Sequence, residues 1–169
     1  MGRRFLFLAA CSTLVAAGPA WAGDADFTQR FSAVWTGGGR VVSNADTAPK
    51  PMDVSCSLNG RSEGDTIDLG GTCRAYLVFT RQFGASVRYD PSTGRYTGVY
   101  TGAKSGPAQL SGRRQGDTVN FTVTWAKPIN GDRTARLSIR NDGRTMAIRL
   151  FDEAKGRQVT TTDLTFAQR

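Results

Sequence analysis

The sequence predicts an all-β protein, a single antiparallel meander of nine or ten strands closing on itself as a β-barrel, with a two-sheet β-sandwich as the alternative. Three observations predict it. From residue 32 to residue 166 apolar and polar side chains alternate with period two, turn residues recur at short intervals, and no stretch sustains a 3.6-residue period. One phrase occurs twice, as Leu58-Asn-Gly-Arg-Ser-Glu-Gly-Asp-Thr-Ile-Asp-Leu69 and as Leu110-Ser-Gly-Arg-Arg-Gln-Gly-Asp-Thr-Val-Asn-Phe121. Each copy reads as a hairpin whose Gly-Asp centre suits a type II′ turn, because Gly accepts the positive φ required at the first central position. Glycines also fall at inward positions (Gly37, Gly39, Gly98 and Gly112), where strands of a small barrel must bend sharply. Successive hairpins make sequence neighbours spatial neighbours, and closure removes unpaired edges, which favours the barrel.

The elements follow in order. Met1-Gly-Arg-Arg4, an apolar run over 5–17 and the small-x-small pattern Ala20-Trp21-Ala22 read as an export signal cleaved after Ala22. The run is too short to cross a hydrocarbon core of about 30 Å, and no later segment approaches spanning length. Leu8-Ala-Ala-Cys11 also resembles a lipobox, in which case Cys11 is lipidated and kept as an anchor. Residues 23–169 then form one domain with one core. After a short helix over 24–31, strands are expected near 33–43, 52–61, 66–81, 84–90, 95–101, 107–114, 117–126, 133–140, 144–152 and 157–166. Gln82-Phe83-Gly84 is either a tight turn or a bend in one long strand. Residues 45–51 and 126–132 read as the longest irregular connections.

Hairpin geometry sharpens the cysteine reading. With Gly64-Asp65 as the loop, Glu63 faces Thr66 and, counting outward, Cys56 faces Cys73 at a non-hydrogen-bonded site, where Cα atoms approach to about 4.5 Å and a disulfide can close. An even cysteine count in the exported chain points the same way. A bulge at Gly70-Gly71 shifts the pairing by one, and two free buried thiols are the alternative. The closed loop is worth roughly 3 kcal/mol in the chain-entropy account.

In this hairpin Val54, Cys56 and Leu58 share a face with Ile67, Leu69, Gly71, Cys73, Ala75, Leu77 and Phe79. In the second, Ala108, Leu110 and Gly112 lie opposite Phe121, Val123 and Trp125, while Thr118, Asn120, Thr122 and Thr124 look outward. A third hairpin at Asn141-Asp-Gly143 has the Asp-Gly pair of a type I′ turn and sets Ala135, Leu137 and Ile139 against Met146, Ile148 and Leu150. Asp90-Pro-Ser-Thr-Gly94 brings Tyr89 opposite Tyr96 and Val87 opposite Gly98.

The chain contains no histidine. That excludes His-dependent triads, Cys-His nucleophile pairs and His-ligated metals, and an oxidised Cys56–Cys73 pair removes thiolate chemistry and Cys-ligated zinc. No cofactor or metal is called for. An enzyme would have to use paired carboxylates, yet the only glutamates are Glu63 and Glu153, both near turns, and most aspartates also sit in turns. Asp68 lies mid-strand and points outward toward Arg61 as a cross-strand ion pair. The run Thr36-Gly-Gly-Gly39 lacks the Lys-Ser/Thr and the helix of a phosphate loop. The expectation is therefore a non-enzymatic protein.

Two groups of residues remain as candidates for binding. Trp35, Tyr89, Tyr96, Tyr100, Phe121 and Trp125 have inward parity; around a hollow interior they line a cavity for a small apolar or amphipathic ligand, with Arg81 at one end for an acidic headgroup. The alternative is an ordinary filled core. Outside, Arg136, Arg140, Arg144 and Arg149 form a basic strip on the third hairpin, and Arg113 and Arg114 add charge at the tip of the second. Once Arg3 and Arg4 leave with the signal, 20 of the 22 basic side chains stand against 14 acidic ones. This balance suits an anionic envelope component rather than nucleic acid, and the alternative is a solvated strip that discourages edge pairing.

Phe31-Ser-Ala-Val-Trp35-Thr-Gly-Gly-Gly39, a tryptophan on the first strand followed by glycines, resembles the opening of calycin-type barrels, although lipocalins place Gly where Ala33 stands. The chain as a whole is similar to small periplasmic proteins of alphaproteobacteria, with their Trp-Thr/Ser-Gly-Gly-Gly start, paired cysteines and Gly-Arg-x-x-Gly-Asp-Thr hairpins. These resemblances imply a periplasmic or secreted location and a calycin-like barrel, and they hand over no activity. The reading is a secreted barrel that binds a small ligand inside; the alternative is a cell-envelope interaction module or protease inhibitor acting through its arginine-rich surface.

Overall fold

The computed structural model describes residues 21–76 and 79–169, and its architecture is the expected closed antiparallel meander. A helix, α1 (Trp21–Gln29), precedes ten strands: β1 (Val34–Ser43), β2 (Lys50–Glu63), β3 (Thr66–Ala75), β4 (Phe79–Asp90), β5 (Arg95–Thr101), β6 (Ala108–Gln115), β7 (Thr118–Ile129), β8 (Asp132–Asn141), β9 (Thr145–Ala154) and β10 (Arg157–Gln168). Each strand pairs with its sequence neighbours, and β1 closes on β10 from Trp35 opposite Gln168 to Val41 opposite Thr162. Of the expected signal segment, residues 1–20 lie outside the described residues, Cys11 among them, and so does Leu77.

Hairpin chemistry sets the register. Gly64 and Gly116 take φ of +55° and +59° while Asp65 and Asp117 stay out of the positive-φ region, as type II′ turns require. Cys56 consequently faces Cys73, their Cα atoms 4.1 Å apart, and the two form a disulfide. Gly70 and Gly71 pair in continuous register, without a bulge. Val87 stands opposite Gly98, and Tyr89 opposite Tyr96. Glycine is obligatory at Gly37, where β10 comes so close that a Cβ would overlap the Thr165 carbonyl.

Four local expectations need correcting. The turn between the third and fourth strands lies at Tyr76, which adopts φ +45°, and β4 runs unbroken through Gln82-Phe83-Gly84. Gly84 sits across from Gly70 there, so two glycines absorb the bend that looked like a turn. Residues 126–132 are irregular only in part: β7 continues to Ile129 across a register shift between Thr124 and Ile129, and Asn130-Gly131, both with positive φ, make a two-residue turn of the I′ kind. At Asp142-Gly143 only the glycine has positive φ, so the turn is not type I′; the Asp142 carboxylate accepts the N–H groups of Arg144 and Thr145 and the Thr145 hydroxyl, holding a longer loop. Asp68 does face Arg61 across β2 and β3, but both are exposed and no ion pair closes between them.

Candidate functional site

The two ends of the barrel are built differently. At one end, the turns after β2, β4, β6 and β8 meet α1, which lies across the opening. Its inward residues Phe27 and Thr28, and Phe31 just beyond it, are buried, and Phe27 packs edge-on against Phe31 and Tyr96. Arg30 bonds Asp117 at 2.6 Å and the Asn141 carbonyl at 3.2 Å, and the buried Asn141 amide returns a bond to the Arg30 carbonyl. The Ser62 hydroxyl donates to the Thr28 carbonyl at 2.5 Å.

Asp24, in the first turn of α1, is the centre of this plug. It accepts Arg114 Nε at 2.5 Å, the Tyr96 hydroxyl at 2.7 Å and the Tyr89 hydroxyl at 3.1 Å. Burial pushes its carboxyl up, but Arg114 and the two phenols outweigh that and hold it below the usual carboxylate value. The same contact, after burial, raises both tyrosines.

Three of the aromatic candidates therefore belong to the closed end. Tyr89 and Tyr96 spend their hydroxyls on Asp24, and Trp35, fully buried, donates its indole N–H to the Phe31 carbonyl at 3.3 Å. Phe121 sits mid-barrel opposite Gly112, its ring filling the space a side chain there would need. Arg81 stands exposed at the other end, its guanidinium bonded through Nε and Nη2 to the Gly102 carbonyl at 2.8 and 2.6 Å.

Tyr100 and Trp125 face the open half. Here the inward apolar residues Val54, Phe83, Leu137, Ile148 and Leu150 keep part of their surface accessible, although both neighbouring strands are in place. Among them sits a polar cluster that sequence reading did not mark. Asp152 is 4% exposed; its Oδ2 accepts the Thr161 hydroxyl at 2.7 Å and the Asn130 amide at 3.3 Å. Its Oδ1 and the Trp125 indole N–H are buried and find no hydrogen-bond partner among the described residues. Burial raises the Asp152 carboxyl, with Thr161, Asn130 and the nearby Trp125 N–H pulling it partway back. Burial also raises the Tyr100 phenol. Asn130 in turn accepts the Ala45 N–H, tying the β1–β2 loop to the cluster, and lines a rim depression of about 270 Å³ with Asp132, Glu153 and Lys155.

Asp152 was accessible to parity, since it continues the inward row Met146, Ile148, Leu150. Thr161 was not: it turns inward through a bulge between Thr160 and Thr162, in a run of three threonines that carries no mark of where the bulge falls.

The arginines divide as well. Arg113, Arg136, Arg140, Arg144 and Arg149 are exposed; Arg136 bonds Gln158, and Arg149 pairs with Asp163 at 3.2 Å. Arg114 does not join them. Adjacent strand residues face opposite sides, so with Arg113 outward Arg114 must point in, to Asp24.

No helix among the described residues is long and apolar enough to cross a membrane. No family model matches the chain, and no curated protein matches it. Among solved structures it is similar to Rv2717c from M. tuberculosis, at 15% identity and a TM-score of 0.65, over 90% of this chain and 98% of that one. That likeness carries the barrel fold alone.

Proposed function

We propose that the protein is a non-enzymatic barrel, exported to the periplasm or beyond, that takes a small apolar or amphipathic molecule into its open half. The observation that carries this reading is a buried donor and a buried acceptor without hydrogen-bond partners among the described residues, Trp125 Nε1 and Asp152 Oδ1, set beside inward apolar side chains that keep part of their surface accessible. A buried polar atom left unpaired costs about 1–3 kcal/mol, so a ligand group that pairs with both recovers that free energy. Leu137, Ile148 and Leu150 then receive the apolar part. The expected export signal and the disulfide support the location. The resemblance to calycin-type barrels and to alphaproteobacterial periplasmic proteins agrees with this reading and adds no ligand.

Tryptophan fluorescence tests it. Titration with fatty acids, lipids and aromatic dyes should shift the emission, and Trp125→Phe should abolish the shift while Trp35 still reports a folded closed end. A silent panel, or a response carried by Trp35, removes the basis of the proposal. Docking through the outer arginines is less well supported, because Arg149 and Arg136 already have partners on the wall. Envelope extracts passed over the protein at rising salt would show a charge-driven partner if one exists.

A further inference from the structure

The rim of the open end has a second character that ligand binding inside the barrel does not use. The β3–β4 turn carries Tyr76-Leu-Val-Phe79, four consecutive apolar or aromatic residues, where a hairpin tip ordinarily has Gly, Asn or Asp. Tyr76 is 61% and Phe79 67% exposed, and they are two of the three large hydrophobic side chains that stand in solvent among the described residues. They stand three residues apart at one end of the barrel, Tyr76 beside a depression of about 360 Å³ that it lines with Arg40, Pro51 and Asp53, and exposed apolar residues grouped at one rim are the arrangement that marks an interaction site.

Charge at this end is predominantly basic, with Asp46, Asp53, Asp132 and Glu153 as the acidic residues besides the buried Asp152 among the described ones. All four lysines of the chain, Lys50, Lys104, Lys127 and Lys155, lie at or beside the mouth, all exposed, and none takes part in an ion pair among the described residues. Arg74 and Arg81 flank the tip itself and are exposed. At the closed end Arg30 and Arg114 are paired with Asp117 and Asp24, while Arg113 and Arg144 stand exposed.

We propose that this rim docks on an anionic lipid surface, with Tyr76 and Phe79 entering the interfacial layer and the surrounding lysines facing the headgroups. An aromatic tip suits the headgroup level, where the ring is buried and the phenol stays wet. Basic residues near a negatively charged bilayer add an attraction that falls off within a Debye length. Neither contribution suffices alone, and their coincidence at one rim is what a protein partner would not require.

Sedimentation with vesicles tests the assignment, using the protein in the form the cell produces. Vesicles of phosphatidylcholine mixed with phosphatidylglycerol should carry it down at low salt, phosphatidylcholine alone should do so far less, and added salt should release it. Tyr76→Ser/Phe79→Ser should weaken partitioning by about tenfold or more, and Lys104→Glu/Lys127→Glu should do the same without touching the tip. Each variant shares the wild-type amino terminus, so any contribution from the apolar leader cancels. Circular dichroism checks the fold of the tip variant, and the surface lysine variant decides the matter if that one fails to fold. Wild type that stays in the supernatant with phosphatidylglycerol vesicles, or variants that bind as well as wild type, overturns the proposal. So does loss of a co-purifying protein by the tip variant in the absence of vesicle binding. The fluorescence response to soluble ligands is read without vesicles, so failure of either proposal leaves the other measurable.

Discussion

Removing the charge of Asp24 should release the barrel's plug. Asp24→Asn keeps the shape of the side chain and deletes the carboxylate that receives Arg114, Tyr96 and Tyr89. Charge-assisted bonds of this kind are worth about 1.5–3 kcal/mol each but do not add, and removing one member of a buried pair costs about 3–5 kcal/mol. The Asp24 and Arg114 side chains keep 14% and 23% of their surface, and the asparagine can still accept one phenol, so we take the lower end. The expected loss is about 3 kcal/mol, or roughly 10 °C in Tm for a domain of this size. Urea unfolding followed by circular dichroism measures it. The pH dependence gives a sharper check. Asp24 titrates below its unfolded value of 3.8, so its contribution is complete above that pH and disappears as acid carries the solution through the folded value. Wild type and variant should therefore differ fully at pH 7 and converge only as acid carries the solution below the folded value of Asp24. Arg114→Met should lose a similar amount, and the double variant should lose less than the two single losses together. A pH-7 loss under about 1 kcal/mol, or a gap that acid does not close, would refute the assignment of the plug to this carboxylate.

Asp152 has the opposite sign. Its carboxyl is raised by burial, so the native state keeps the proton to higher pH than the unfolded chain, and stability falls as pH rises from 3.8 through the folded value. Asp152→Asn should be more stable than wild type at pH 7 and equal near pH 3 in urea titrations; a pH-independent difference would contradict the assignment. Cys56→Ser/Cys73→Ser should cost about 3 kcal/mol with unchanged secondary structure, and in wild type both thiols should alkylate only after reduction. Gly37→Ala should cost about 2 kcal/mol or more through collision with the Thr165 carbonyl, read as a lower Tm.

Much of the barrel was legible because its turns are written in glycine. Where Gly-Asp or Asp-Pro-Ser-Thr-Gly closed a hairpin, the pairing of Cys56 with Cys73 and of Tyr89 with Tyr96 followed by counting. Legibility failed where a turn lacked such residues: Tyr76-Leu-Val-Phe79 looks like strand, and the glycine at Gln82-Phe83-Gly84 drew the turn to the wrong place. The site was less legible than the wall. Parity correctly turns Trp35, Tyr89 and Tyr96 inward but carries no information on height along the barrel axis, so it merged residues of the plug with residues of the mouth. Nor can alternation reveal that a helix near the amino terminus folds back to consume two tyrosine hydroxyls and an arginine. Asp152 failed for another reason: an inward carboxylate runs against the apolar pattern, and that exception was the signal.

The two ends bear on how a ligand would enter and orient. At the closed end each buried side-chain polar group of the plug among the described residues has a partner, from Asp24 with its three donors to Asn141, whose side-chain amide donates to the Arg30 carbonyl and whose side-chain oxygen accepts the Gly143 N–H. A ligand headgroup arriving there would have to displace bonds already made, at a cost its own bonds would only balance. At the open end Trp125 Nε1 and Asp152 Oδ1 would gain bonds and give up only their attraction for each other. On the proposed reading, then, a ligand enters past the lysine-bearing rim and places its polar group against β7 and β9, with its apolar part toward Leu137 and Ile148. Ligands bearing a group that both donates and accepts should bind more tightly than hydrocarbons of equal size. Because the ligand group donates to Asp152 Oδ1 and accepts from Trp125 Nε1, that preference should strengthen as pH rises through the folded value of Asp152, when the carboxylate becomes the stronger acceptor. Competition between a long-chain alcohol and the matching alkane, run across pH by Trp125 emission, would decide it, and equal affinities at every pH would refute the orientation.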